Sequence, residues 1–338
     1  MPVTVIVGGQ FGSEGKGKVA HALALRQSAT VAVRVGGPNS GHTVIDPSGS
    51  PIILRQLPTA AILPGVTCVL GAGSYVDPDL LLREIGRIGL RPDRLKIDPN
   101  AAVITAREKE EEASTTLRRD IGSTLSGTGA AVGRRVARVR SLRLAKDEPL
   151  LKAFLGDACH LLRNTLDHGE RVIVEGTQGF GLSLLHSPNF PFVTSRDTTA
   201  AGFIAEAGLS PMDVDSIVLV IRTFPIRVSG NSGPLPNEID WETVQAQSLS
   251  LTKIVERTSV TRAIRRVGRF DAEIVRRAIV VNRPNLIALN HLDYIDAAVS
   301  ERNEMTPKAA AFVADVESRL DAPINYLGFG ASSLVGRQ

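Results

Sequence analysis

Residues 9–19 read Gly9-Gln10-Phe11-Gly12-Ser13-Glu14-Gly15-Lys16-Gly17-Lys18-Val19. The apolar run Val3–Val7 precedes them and Ala20–Leu25 follows. A buried strand, a glycine-rich turn and a helix start form a cradle for phosphate. Glycines let backbone N–H groups approach anionic oxygens, the helix end carries positive partial charge, and lysine adds a full one. Gly12–Lys18 fits G-x-x-x-x-G-K, but Val19 stands where a P-loop places the Ser or Thr that ligates Mg²⁺. The reading is a phosphate loop outside the ordinary P-loop ATPases; a plain strand–helix turn is the alternative.

Short apolar runs recur at Ala29–Val35, Val66–Leu70, Val172–Val174, Ile217–Ile221, Leu286–Leu289 and Ile324–Leu327. Helical patterns lie between them: Pro78–Ile88 behind a capping Asp77, Glu148–Leu166, Asp271–Ile279 and Pro307–Leu320. This alternation predicts an α/β fold with a mainly parallel central sheet and helices on both faces. With no repeat or linker in view, one catalytic domain is expected over 1–338. Residues 108–145 are the most polar segment. A Gly/Ser/Thr stretch, Gly122–Gly129, precedes the arginines from Arg134 to Arg143. We expect an anion-binding loop excursion there, or failing that a solvated loop.

Composition narrows the class. Cys68 and Cys159 sit in apolar sequence and read as reduced core residues of a cytosolic protein. No apolar run approaches the ~20 residues of a spanning helix, and the N-terminus starts on a strand, so neither membrane nor signal peptide is expected. The net charge is +4, but aromatics are only 4% and do not interleave with the basic residues. That argues against nucleic acid and for arginines aimed at small anions.

Four further motifs carry chemistry. Val35-Gly36-Gly37-Pro38-Asn39-Ser40-Gly41-His42-Thr43-Val44 follows the second strand, at the sheet edge where open α/β folds bind ligands. His42 there suits a general acid or a charge donor to a developing oxyanion. Val174-Glu175-Gly176-Thr177-Gln178-Gly179, with the hydroxyl-rich Pro191–Thr199, offers Gln178 and Thr194 to a phosphate or base edge; a turn with capping hydroxyls would look the same. Thr258–Arg269 is arginine-rich, and guanidinium binds carboxylate bidentately. Asn290-His291-Leu292-Asp293 ends a strand where nucleotide enzymes often place an acidic purine reader.

Together these motifs resemble the adenylosuccinate synthetase family. GSEGKGK, GGPNSGHT, IGST, VAR at 136–138, EGTQG, PFVTS, TRAIRR and NHLD occur in family order over nearly the whole chain. The resemblance implies a ligase that couples a nucleoside triphosphate, a 6-oxopurine nucleotide and L-aspartate with Mg²⁺. O6 is phosphorylated, then the aspartate amine displaces phosphate from C6. It implies that Gly12, Ser13, Glu14, Gly15, Lys16, Gly17 and Lys18 form the loop at the transferring phosphate, with Ser13 and Lys16 in the catalytic group. His42 is the catalytic histidine. Asn39, Gly41, Thr43, Thr124, Gln178 and Thr194 contact the nucleotide, and Asp293 reads a purine. Gly41 lends its carbonyl to Mg²⁺, with Ser13 a further candidate ligand. Thr261, Arg262 and Arg265 hold aspartate. Arg138 reaches a neighbouring subunit's site, which implies a homodimer.

Two positions depart from the family pattern. Ser13 occupies the place of the loop aspartate that removes the N1 proton. His291 stands where the guanine reader carries lysine. A short chain with this serine looks like the phage-type branch, 2-aminoadenylosuccinate synthetase, which joins dGMP to aspartate. The implied donor is then ATP or dATP, and the location a host cytoplasm. An ordinary synthetase using IMP and GTP, or a non-catalytic nucleotide-binding module, are the alternatives.

Overall fold

The computed structural model describes residues 2–258 and 262–337. Nine strands form the central sheet: β1 (Val3–Gly8), β2 (Val31–Arg34), β3 (Thr67–Leu70), β4 (Leu95–Ile97), β5 (Val172–Glu175), β6 (Val214–Arg222), β7 (Leu286–Asn290), β8 (Tyr326–Leu327) and β9 (Val335–Gly336). Their order is β9-β8-β7-β6-β1-β5-β2-β3-β4. All neighbours pair in parallel except β8 with β9. Both faces are buried, which is why the strands read as continuous Val/Ile/Leu runs. Val3, Val5 and Val7 of β1 join Leu219 and Ile221 in one core. Ile6 turns the other way, to Val19, Ala20 and Leu23 of the helix Lys16–Arg26. Each such fully buried aliphatic side chain contributes about 1.5–3 kcal/mol.

The helices Pro78–Ile88 and Pro307–Leu320 match expectation. The expected single helix over Glu148–Leu166 is two elements. A 3₁₀ turn spans Pro149–Phe154, and an α-helix runs from Ala158 to Asp167. Asp157 restarts the chain by accepting from the His160 N–H at 2.8 Å. The polar segment is largely helical rather than a loop, with helices Ala106–Ala113, Leu117–Ile121 and Thr128–Val136. Arg134 pairs there with Glu108 at 3.2 Å and Glu111 at 3.3 Å, so this arginine serves the fold. Cys68 is buried as expected, whereas Cys159 is exposed, because it lies on the solvent side of its helix. No helix among the described residues is long and apolar enough to cross a membrane.

Candidate active site

The ends of β1, β2, β5, β6 and β7 converge on the phosphate loop. Gly12 and Gly15 both have φ +90°, and Ser13 between them has φ +57°. A Cβ on Gly15 would lie 2.7 Å from Asn290 Nδ2, and one on Gly17 would lie 2.7 Å from His42 Cβ. These glycines therefore provide close approach as well as turn geometry. The Glu14 carboxylate points inward and is fully buried. Its Oε1 accepts from the N–H groups of Gln10 (3.1 Å) and Gly12 (2.8 Å), and its Oε2 pairs with Lys16 Nζ at 2.6 Å. Glu14 thus engages the same amides and lysine that suit a phosphate.

His42 opens a hairpin, His42–Ile45 against Pro51–Leu54. Its Nδ1 lies 2.6 Å from Glu175 Oε1 and also contacts Arg34. Arg34 Nη1 donates to Glu175 at 2.5 Å. The second Glu175 oxygen accepts the Thr59 N–H at 2.7 Å and lies 2.7 Å from the Thr59 hydroxyl. Burial pushes Glu175 up, but Arg34 and His42 outweigh it and hold the carboxyl well below its usual range. Burial, then the charge of Arg34, holds His42 far down, so the free imidazole is neutral at physiological pH. The tautomer follows the partner: Nδ1–H on Glu175 leaves Nε2 an acceptor, whereas accepting from Arg34 leaves Nε2–H a donor. Motif reading passed over Arg34 and Glu175; their signal was a charged residue ending each of two apolar strands.

A cavity of about 640 Å³ opens over this edge. Gly12, Ser13, Asn39, Gly41, His42, Thr124, Gln178, Thr194 and Arg265 all line it. Asn39 Nδ2 lies 3.5 Å from Thr194 Oγ1, and its own buried Oδ1 has no partner in the structure. The 108–145 segment closes one wall with Leu117, Ile121 and Ser126. Arg227, which sequence reading also passed over, lines the cavity with its guanidinium 4.5 Å from the Phe11 ring centroid. Burial, then Arg266, lowers its pKa to about 10, leaving it cationic.

The other expected residues lie off this wall. Glu14, Gly15, Lys16 and Gly17 sit behind it in the loop and its helix. Thr43 is exposed on the hairpin face opposite His42, because strand residues alternate. Lys18 runs beneath, donating to the Gly330 carbonyl at 2.8 Å. Nearby, Asp293 has a buried Oδ1 without a partner, and burial lifts its pKa to about 6. The expected purine reader therefore does not line the cavity. Arg138 is exposed and off its own chain's cavity. Arg262 is also exposed, with φ +58°, its carbonyl accepting from Arg257 at 3.0 Å. Of the two described aspartate candidates, Arg265 lines the cavity and Arg262 does not; Thr261 lies outside the described residues.

The donor set suits Mg²⁺. Ser13 and Gly41 line the cavity beside the unpartnered Asn39 Oδ1, so neutral oxygen donors lie there, and phosphate oxygens would complete a hard, all-oxygen shell.

Comparison with known proteins places the chain in a family. The adenylosuccinate synthetase family model matches residues 5–148 and 142–302. The adenylosuccinate synthetase of Methanocaldococcus jannaschii is 40% identical, covering 97% of this chain and 94% of its own. That of Thermococcus onnurineus is 37% identical over 98% and 96%. Among solved structures, the cyanophage S-2L succinoaminodeoxyadenylate synthetase, bound to dGMP and dATP as an energy donor, superposes with TM-score 0.83. It shares 29% identity and covers 99% of this chain and 95% of its own. The fully ligated adenylosuccinate synthetase of Plasmodium falciparum shares the fold, with TM-score 0.85 over the full length of both chains at 19% identity. The chain belongs to the adenylosuccinate synthetase family and is a ligase that forms C–N bonds.

Proposed function

We propose that this ligase joins L-aspartate to C6 of dGMP, with ATP or dATP as phosphoryl donor. One observation carries the reading: Ser13, in the place of the family's loop aspartate, stands exposed on the cavity wall. A serine is small and uncharged, so it leaves room beside N1 and C2, where guanine bears an amino group. Its hydroxyl can donate or accept there. The cyanophage enzyme solved with dGMP and dATP supports the same substrates.

The remaining roles are those that the family resemblance implies for these positions. A lactam oxygen leaves poorly until it is phosphorylated. Lys16 and the loop amides stabilise charge on the transferring phosphoryl group once Glu14 yields them. His42, fixed by Glu175 and Arg34, assists at O6. Thr124, Gln178 and Thr194 hold the monophosphate, Asn39 contacts the nucleotide and aspartate, and Arg265 receives an aspartate carboxylate. Mg²⁺, held beside Gly41 and Ser13, would supply charge neutralisation among the phosphates. Asp293 faces the base of the donor, and Arg138 serves the partner subunit of a homodimer.

The names of the archaeal relatives favour a second reading, an ordinary synthetase acting on IMP. A paired assay separates the two. With Mg²⁺, aspartate and ATP or dATP, the protein should yield a succinylated product from dGMP and little from IMP, followed by mass. Ser13→Asp should weaken use of the 2-amino purine. Product from IMP alone, or an unchanged preference in Ser13→Asp, would overturn the proposal.

A further inference from the structure

We infer that the ion pair between the buried Arg222 and the half-buried Glu256 is a positioning device tying the aspartate-binding segment to the phosphate loop. Arg222 ends β6 and is among the largest completely buried side chains in the protein. Its main chain is clamped from both sides by Gln10 of the loop: the Arg222 N–H donates to Oε1 at 2.9 Å, and Nε2 donates to the Arg222 carbonyl at 3.1 Å. Its guanidinium then serves two segments at once. Nη1 donates to the Ser13 carbonyl at 2.9 Å, and Nη2 pairs with the Glu256 carboxylate. Glu256 belongs to the segment that carries Arg265 to the cavity, and its carbonyl accepts the Arg265 N–H at 2.9 Å. Tyr294, just past Asp293, donates its hydroxyl to Glu256 at 3.1 Å, with its ring centroid 5.9 Å from the Arg222 guanidinium.

The geometry makes one bracket from four regions far apart in sequence. Ser13 needs that support, since a non-glycine residue in the left-handed region is held there only by its surroundings. The fork of arginine reaches both acceptors, whereas a lysine ammonium is a point charge that serves one. Neither Arg222 nor Glu256 lines the cavity, so both act through Ser13 and Arg265.

The inference rests on the reading of Arg265 as an aspartate contact, and its test separates the two. Steady-state kinetics of Glu256→Gln and Arg222→Lys are compared with wild type, using whichever purine monophosphate the wild type accepts. Glu256→Gln should raise the aspartate KM about tenfold, with the monophosphate KM near wild type. Arg222→Lys should raise it similarly and also lower kcat, because the Ser13 loop loosens. The double variant should be no worse than Arg222→Lys alone, the mark of two groups acting as a unit. Amide exchange of residues 9–15 should quicken in Glu256→Gln, a readout independent of turnover. Unchanged exchange there, or a full multiplicative loss in the double variant, would overturn the bracket. Faster exchange with an unchanged aspartate KM would keep the bracket and overturn the aspartate role of Arg265.

Discussion

Asp293 illustrates how burial can outweigh the charges around a carboxyl. Its Oδ1 has no partner, and desolvation lifts the carboxyl to about 6 against the opposing charges of Lys18 and Arg222. A folded pKa above the unfolded one means the native state binds the proton more tightly. The associated stability is complete below about pH 4 and is lost as pH rises through about 6. Asp293→Asn removes the titration. The thermal midpoint of the variant should therefore gain on wild type as pH goes from 4 to 7. A difference constant over that range would contradict the assignment. In the proposed function a purine edge takes up the orphaned oxygen, so nucleoside triphosphate should narrow the gap.

Among elements, the helix Thr128–Val136 is the clearest case of tertiary support. It starts at Gly127, which offers no side-chain cap. Glu112, from the helix Ala106–Ala113, supplies one: it accepts the N–H groups of Gly127 at 2.7 Å, Gly129 at 2.5 Å and Ala130 at 3.2 Å. A carboxylate at a helix N-terminus is favoured both by the orphan donors and by the helix dipole. Glu112→Gln should cost about 1–2 kcal/mol, read by denaturant unfolding, and should speed exchange of the 127–130 amides. Wild-type protection at those amides would refute the capping role. This cap could not be read locally, since Glu112 and Gly127 are joined only by folding. The start of the helix Ala106–Ala113 does carry a local signal that the sequence reading missed: Thr105 and Glu108 form a capping box of the S/T-x-x-E type. Polar composition hid it, because a solvated helix lacks the apolar stripe that periodicity detects.

For the molecule as a whole, the position of Arg138 bears on assembly. It is exposed, with φ +53°, and makes no contact with its own cavity. In the proposed homodimer it completes the other subunit's site. Arg138→Ala and His42→Ala proteins should each be inactive alone. Mixed and allowed to reassort, they should recover about a quarter of wild-type turnover, because half the dimers are hybrids with one intact site. Failure of any recovery, with subunit exchange demonstrated, would place Arg138 outside the partner's site.

The sequence by itself determined the strand runs, the phosphate loop and the motifs that assign the family. Those signals are local: burial on both sheet faces writes continuous apolar runs, and turns that need positive φ or close approach write glycine. Tertiary structure alone decided which polar residues meet. Glu175 and His42 are 133 positions apart, and Arg222 and Ser13 are 209 apart. They touch because β1 lies between β5 and β6, and β5 lies beside β2. A charged residue at the end of an apolar strand reads the same whether it faces water or an ion pair. Only the strand order, set by how the helices pack onto the two faces, tells them apart.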